Sequence, residues 1–452
     1  MSRNKIVLLT AAALISLASP VSGQGLSALD EVAGALDADG GAYRIAKPAN
    51  WNGVLILDLD FAARPDSPLY KRMHELGYAG AGSTRGDAGN RGTAVDNPAR
   101  IKRQLEVLRL FEQRFGKPKR VISFGHSGAG GLALALVEAA PEHIDGGVAA
   151  CIITGSVGWF NAKLDSAFVA KTLIAPGSDL RLQDMPRDLT PVSQAWTQML
   201  EKAQATPEGR ARIALAVTIG QLPSWSRTDT LEPAAGDLPK IQQAMYETLV
   251  SQFGATIGGH VRVRRDFEES AGGTLSWNTD IDYRKILEEN ADPAQRDAVR
   301  QLYQIAGLDL DADLQMLRRA PRETANPAAV IKADSLMGVT AKPRNPVMLL
   351  HTSGDSLAPA ATLEAYIRRA PATLVRTAIV QAAGHCTFSI AESMAAIETV
   401  DRRIATNLWP ATSSVEMNAR ARAADVSPAR FMDFHLNRFA RAFYTGDAPP
   451  AQ

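Results

Sequence analysis

Cysteine is almost absent: the chain has two, Cys151 and Cys386, in 452 residues. That excludes a disulfide-dense scaffold and a four-cysteine zinc site. An excess of one charge is missing as well. Lys and Arg number 49 against 48 Asp and Glu, a formal net charge of +1, and no block of like charge stands out. The chain therefore lacks the electrostatic footprint that nucleic acid or anionic lipid would require. Glycine (35) and proline (25) are spread along the chain, which argues against collagen-like or disordered protein. What is present is ordinary globular composition, 46% hydrophobic and 21% charged. Such a chain can bury a sizeable core, as about three domains or as one large fold carrying an insertion.

The first residues read as a secretory signal rather than as part of the fold. Arg3 and Lys5 make a short basic start, Ile6 to Ala18 is apolar, and Ser19-Pro20-Val21-Ser22-Gly23 supplies small residues for cleavage. The apolar stretch is too short to span a bilayer comfortably. With cleavage after Gly23 the loss of Arg3 and Lys5 leaves 47 basic and 48 acidic side chains, or −1. The expectation is an exported protein, secreted or periplasmic, with no membrane attachment once residues 1–23 are removed.

From there strand-like and helix-like segments alternate. Ala42 to Ala46, Val54 to Leu57, Gly77 to Gly82, Val121 to Phe124 and Ile144 to Ile153 read as strands. Residues 66–76, 96–115 and 132–139 between them have helical spacing. Alternation of this kind implies βαβ units and a mostly parallel sheet covered on both faces. Residues 160–340 break the rhythm with several helices and the tryptophans Trp196, Trp225 and Trp277, with Trp159 at the edge. Alternation then returns with Val347 to Leu350, a helix near 360–369, Leu374 to Val380 and a helix near 388–407. The reading is one doubly wound α/β domain in two parts, 24–159 and 341–452, interrupted by a helical insertion at 160–340. The last 40 or so residues read as a helix and a frayed tail.

The chemistry is expected where the strand at 121–124 ends. It runs into Gly125-His126-Ser127-Gly128-Ala129-Gly130-Gly131 and then into a helix. A hydroxyl is a poor nucleophile unless it is exposed, aligned and given a base. A sharp strand-to-helix turn provides the exposure, and its close contacts demand very small residues two before and two after the serine. Here those are Gly125 and Ala129. No lysine follows in the pattern of a phosphate-binding loop. The segment resembles the nucleophile elbow of the α/β-hydrolase family, G-x-S-x-G, with Ala in the last place.

That resemblance implies an acid and then a histidine later in the chain. Asp355 follows the apolar strand at 347–350, and His385 follows the next strand, directly behind Gly384. Together Ser127, Asp355 and His385 would form a catalytic triad, the imidazole taking the serine proton and the carboxylate fixing its tautomer. His126 would shape the site and His351 would be packed; His74, His143, His260 and His435 have no partner pattern. No paired Cys/His spacing suggests a metal, and no phosphate or dinucleotide fingerprint suggests a cofactor.

One stretch departs from the family. Many relatives carry His-Gly after the strand that begins near Val54, where this chain has Asp58-Leu59-Asp60-Phe61. A carboxylate there would oppose a developing oxyanion unless neutralised, with Arg64 and Arg85 as possible counter-charges. The resemblance implies backbone amides of Gly128 and of Phe61 or Asp60 as the oxyanion hole. Asp58 and Asp60 would either cap the strand end or bind substrate. In such a sheet Cys151 and Cys386 would lie near the same edge, so they form either a disulfide enclosing the insertion or two buried free thiols. The insertion would be a lid with its own core. Its tryptophans would serve as packing or as substrate platforms, and Arg262, Arg264 and Arg265 would form a solvated face or meet a substrate carboxylate.

The function expected is an exported serine hydrolase. It would cleave a carboxylic ester or amide of a small or medium acyl substrate through an acyl-enzyme, without cofactor, metal or nucleic acid. Two alternatives stand beside it: an aminopeptidase-like serine peptidase reading a free amine with Asp58 or Asp60, and a hydrolase-like binding protein without turnover.

Overall fold

The computed structural model describes residues 29–36, 41–85, 96–250 and 258–443; the expected signal segment, 1–23, lies outside them. Runs such as Val54-Leu55-Ile56-Leu57 have no polar face, and they become strands buried on both sides. The described strands are β1 (Leu29–Ala35), β2 (Ala42–Pro48), β3 (Val54–Asp58), β4 (Ala79–Ser83), β5 (Arg120–His126), β6 (Gly146–Ala150), β7 (Val347–Gly354), β8 (Val375–Ala383) and β9 (Phe431–Met432). They form one sheet in the order β1-β2-β4-β3-β5-β6-β7-β8-β9. The pairs from β4 to β8 are parallel, and β1, β2 and β9 add antiparallel edges.

Helices α1 (Pro68–Glu75), α2 (Asn97–Phe115) and α3 (Gly128–Ala139) fall in the first part of the sheet domain. The insertion holds α4 (Ser156–Ile174), α5 (Thr190–Gln204), α6 (Pro207–Ile219), α7 (Leu238–Val250), α8 (Arg264–Ala271), α9 (Tyr283–Lys285), α10 (Pro293–Ala306), α11 (Leu310–Arg319) and α12 (Pro327–Met337). Then come α13 (Thr362–Ile367), α14 (Ile390–Thr406) and α15 (Ser414–Ala424). One face of the sheet is covered by apolar residues of α2, α3 and α13, the other by those of α1, α14 and α15. The insertion closes its own core around Trp196, Leu200, Leu215 and Tyr303. It opens four residues earlier than the rhythm of the sequence suggested, because α4 is continuous from Ser156.

Strand β4, Ala79-Gly80-Ala81-Gly82-Ser83, is small for a steric reason. A β-carbon on Gly80 would lie 2.3 Å from the Phe61 ring, and one on Gly82 would lie 1.6 Å from the Asp58 carbonyl oxygen. The sheet thus leaves room for the turn after β3.

Up to Phe443 the tail is packed rather than frayed, and residues 444–452 lie outside the described residues. Phe439, Arg441 and Phe443 are buried. Arg441 pairs with Asp165 of α4, the Ala440 amide donates to Gln221 Oε1, and Phe443 packs on Gly155. The end of the described chain crosses from the sheet domain onto the insertion and ties the two together.

Candidate active site

Strand β5 ends at His126 and α3 begins at Gly128, leaving Ser127 at the apex with φ 56° and ψ −123°. A non-glycine residue in this region stores about 1–3 kcal/mol of backbone strain. Steric crowding accounts for the small neighbours: a β-carbon on Gly125 would lie 2.5 Å from the Ala129 backbone, and one on Gly130 would lie 2.6 Å from the Ala150 carbonyl oxygen. Glycine at 125 and 130 is therefore a steric requirement of the elbow.

The loops after β7 and β8 bring the other two side chains to it. Ser127 Oγ lies 2.8 Å from His385 Nε2, and His385 Nδ1 lies 2.7 Å from Asp355 Oδ2. The Asp355 carboxylate is fully buried, and its Oδ1 accepts from the amides of Leu357 and Ala358, each at 2.9 Å. With Nδ1 donating to Asp355, Nε2 is left to accept the serine proton.

Both supports of the relay are braced. The His385 loop is held where the Gly384 amide donates to the Gly354 carbonyl and Thr352 Oγ1 donates to the Gly384 carbonyl. Past the loop, Ser389 and Glu392 cap α14 reciprocally, and Arg430 binds both the Glu392 carboxylate and the Thr387 carbonyl. The Asp355 turn is fastened from α4: Trp159 Nε1 donates to the Leu357 carbonyl at 2.7 Å, and Lys163 Nζ donates to the Ser356 carbonyl. Burial pushes the Lys163 ammonium down to about 7, while the Asp355 carboxylate pulls the other way. Lys163 was not among the residues expected at the site. Its signal was available, since α4 places Asn161, Lys163 and Asp165 in a largely apolar stretch with no polar face. Such residues must find partners inside.

Cys151 and Cys386 are joined in a disulfide. Cys151 closes β6 beneath the elbow, its sulfur 3.3 Å from the Ser127 amide nitrogen, and Cys386 follows His385. Both sit at positive φ, 47° and 60°. Among the described residues the one cluster of possible metal ligands is Cys151, His385 and Cys386, and its sulfurs are bonded to each other.

The oxyanion side departs from expectation. The Asp60 amide donates to Asp58 Oδ1 at 2.9 Å and the Phe61 amide donates to the Asp58 carbonyl at 3.1 Å. Asp58 has drawn both donors into its own turn, and the Phe61 side chain is buried against β4. Neither Asp60 nor Phe61 lines the cavity that holds Ser127. Gly128, also outside that lining, stands at the first position of α3, where helix amides have no intrahelical acceptor. Asp58 is buried with its Oδ2 accepting from Tyr70 at 2.7 Å. Burial, then the neighbouring Asp60 charge, push its carboxyl up to about 7. Asp60 instead receives Arg85 on both oxygens, at 2.7 Å each, with Arg64 at 3.5 Å.

The cavity at Ser127 has a volume of about 510 Å³, and none of its lining residues comes from the insertion. The insertion reaches the site from the side, where the Trp225 carbonyl packs on Gly354 and Thr228 packs on Gly384. A larger cavity, about 780 Å³, lies between α4, α5 and α6, away from Ser127. Trp159, Trp196 and Trp277 are buried packing residues. The arginine cluster dissolves as well: Arg264 is fully buried against Glu268, Ser276 and the Phe160 carbonyl, and Arg265 pairs with Asp266. His351 is buried within β7. His126 lines the cavity, and burial pushes its imidazole down to about 4 with the Arg64 guanidinium adding to the effect.

No protein-family model matches the sequence. An o-phthalyl amidase from Xanthobacter agilis is 37% identical over 423 residues, covering 87% of this chain and 92% of the amidase. The chain belongs to the family of that amidase, an α/β-hydrolase family. Within it the chain is a hydrolase of ester or amide bonds. Two solved structures overlap more loosely. An esterase from Aspergillus oryzae has 14% identity and a TM-score of 0.41 over 84% of this chain and 81% of its own. Lipase A from Candida antarctica in its closed state has 11% identity and a TM-score of 0.37 over 82% and 75%.

Proposed function

We propose that the chain is an exported amide hydrolase working through an acyl-enzyme at Ser127, on aryl-acyl amides of the phthalyl kind named for its relative. The observation that carries the reading is the unbroken hydrogen-bonded path Ser127 Oγ–His385–Asp355, at 2.8 and 2.7 Å. His385 takes the serine proton as Oγ attacks the carbonyl carbon, and Asp355 stabilises the imidazolium that forms. The Gly128 amide and the positive end of α3 stabilise the tetrahedral oxyanion. His385 then protonates the leaving amine, and water, activated by the same imidazole, releases the acid. The disulfide is chemically suited to an oxidising compartment, which supports export.

Ser127→Ala should lose about 10⁴- to 10⁶-fold in kcat against an aryl amide while keeping the Tm of the wild type. A fluorophosphonate probe should label the wild type and not the variant. Undiminished turnover in Ser127→Ala would refute the mechanism, and absence of both turnover and labelling in the wild type would favour the binding-protein reading. The aminopeptidase alternative loses its basis, because Asp58 and Asp60 are engaged by Tyr70 and Arg85 and do not line the cavity.

A further inference from the structure

Charge in the Ser127 cavity is one-sided. Its lining includes Arg64 and Arg85 and no Asp or Glu. The nearby carboxylate of Asp60 is 5% exposed and sits behind the two guanidiniums. Arg85 is held as a rigid fork: Nε and Nη2 donate to the two Asp60 oxygens, and Nη2 lies 3.3 Å from the His126 carbonyl. Its Nη1 is thereby turned toward the start of α3, 3.0 Å from the point a β-carbon on Gly128 would occupy. Arg64 extends the same cluster outward with 59% of its side chain exposed. One carboxylate shared between two guanidiniums leaves positive charge facing the cavity beside the nucleophile. The remaining wall mixes the apolar Pro68, Leu69, Tyr70, Phe388 and Ile390, which can pack on a ring, with the neutral hydroxyls of Ser67, Ser389 and Ser393.

We propose that Arg85 and Arg64 form a subsite for a carboxylate borne by the acyl group next to the scissile carbonyl, so that 2-carboxyaryl acyl compounds are selected over neutral ones. This rests on the hydrolase reading above. With the carbonyl carbon over Ser127 and its oxygen at the Gly128 amide, rotation about the ring–carbonyl bond can bring a carboxylate on the adjacent ring atom to the Gly128 side, where Arg85 Nη1 is presented. Arg64, on the outer side of Asp60, contributes the second cation at the cavity wall. A guanidinium already fixed by Asp60 loses little freedom on binding and offers planar donors to a carboxylate. The arrangement also explains why the acidic residues after β3 do not oppose the reaction: Asp60 orients Arg85 rather than facing the substrate.

The test compares kcat/KM for 2-carboxybenzoyl 4-nitroanilide with that for benzoyl 4-nitroanilide, in the wild type, Arg64→Gln, Arg85→Lys and Ser127→Ala. The wild type should favour the carboxylated anilide, and the ratio should fall about 10- to 100-fold in each arginine variant. Arg64→Gln, at an exposed position, decides the matter even if Arg85→Lys folds poorly. A ratio that moves by less than about threefold in Arg64→Gln and in Arg85→Lys overturns the subsite. Ser127-dependent turnover with no preference in the wild type also overturns the subsite and leaves the hydrolase reading standing. Turnover of neither anilide by the wild type, or equal turnover by Ser127→Ala, overturns the hydrolase reading and the subsite with it.

Discussion

The two flanks of Ser127 are built on different principles. On the His385 side the groups hang from the ends of parallel strands, and backbone bonds, a helix cap and a disulfide hold them in place. On the Asp60 side the backbone makes short turns, and the charged groups are positioned mainly by one another: Tyr70 binds Asp58, Asp58 takes the Asp60 amide on its side chain and the Phe61 amide on its carbonyl, and Asp60 binds Arg85 and Arg64. In the proposed mechanism the first flank moves protons and needs a fixed geometry, whereas the second presents charge, and single substitutions there should retune it without moving the strands.

That contrast can be broken most sharply at Asp355. Asp355→Asn keeps an oxygen for the Leu357 and Ala358 amides but presents the wrong partner to His385 Nδ1. We expect kcat to fall about 10⁴-fold with little change in Tm; a fall of less than tenfold would show that the relay flank tolerates retuning as well. Next in size is the brace. The double variant Cys151→Ser/Cys386→Ser removes a covalent link across a separation of 235 residues. By the chain-entropy account that should cost about 3–5 kcal/mol of stability in urea melts, with a smaller loss of kcat because the hydrogen bonds around His385 remain. The smallest effect belongs to the other flank. Asp58 holds its proton up to about pH 7 in the folded protein, whereas the unfolded chain releases it near pH 4. Between those values the folded state carries the extra proton, so stability falls as pH rises. Asp58→Asn abolishes that term. The Tm of the wild type should therefore drop by a few degrees relative to the variant from pH 4 to pH 7 and run parallel to it above.

The same division explains what could be read from the sequence. The β3 to β8 strands, the helices between them and the placement of Ser127, Asp355 and His385 follow from runs of apolar residues and from glycines at a sharp turn, which are local. The edge strands β1 and β9 were not legible: β1 is largely exposed, with a weak alternation, and β9 is two residues long. The engagement of the Asp60 and Phe61 amides was not legible because Asp58 captures one with its side chain and the other with its backbone carbonyl. The basic trio Arg262, Arg264 and Arg265 misled because adjacency in sequence does not imply a shared surface. Lys163 and Arg441 act across 193 and 276 positions, distances at which no local pattern reports a partner.

The covalent link between Cys151 and Cys386 has a consequence for how the molecule comes into being. One sulfur lies just past β6 and the other in the loop after β8, so the bond closes a loop that holds the whole insertion. With two cysteines in the chain, oxidation has one intramolecular pairing to make and no wrong one. Material made in a reducing host would keep the hydrogen bonds around His385 and lack this covalent tether.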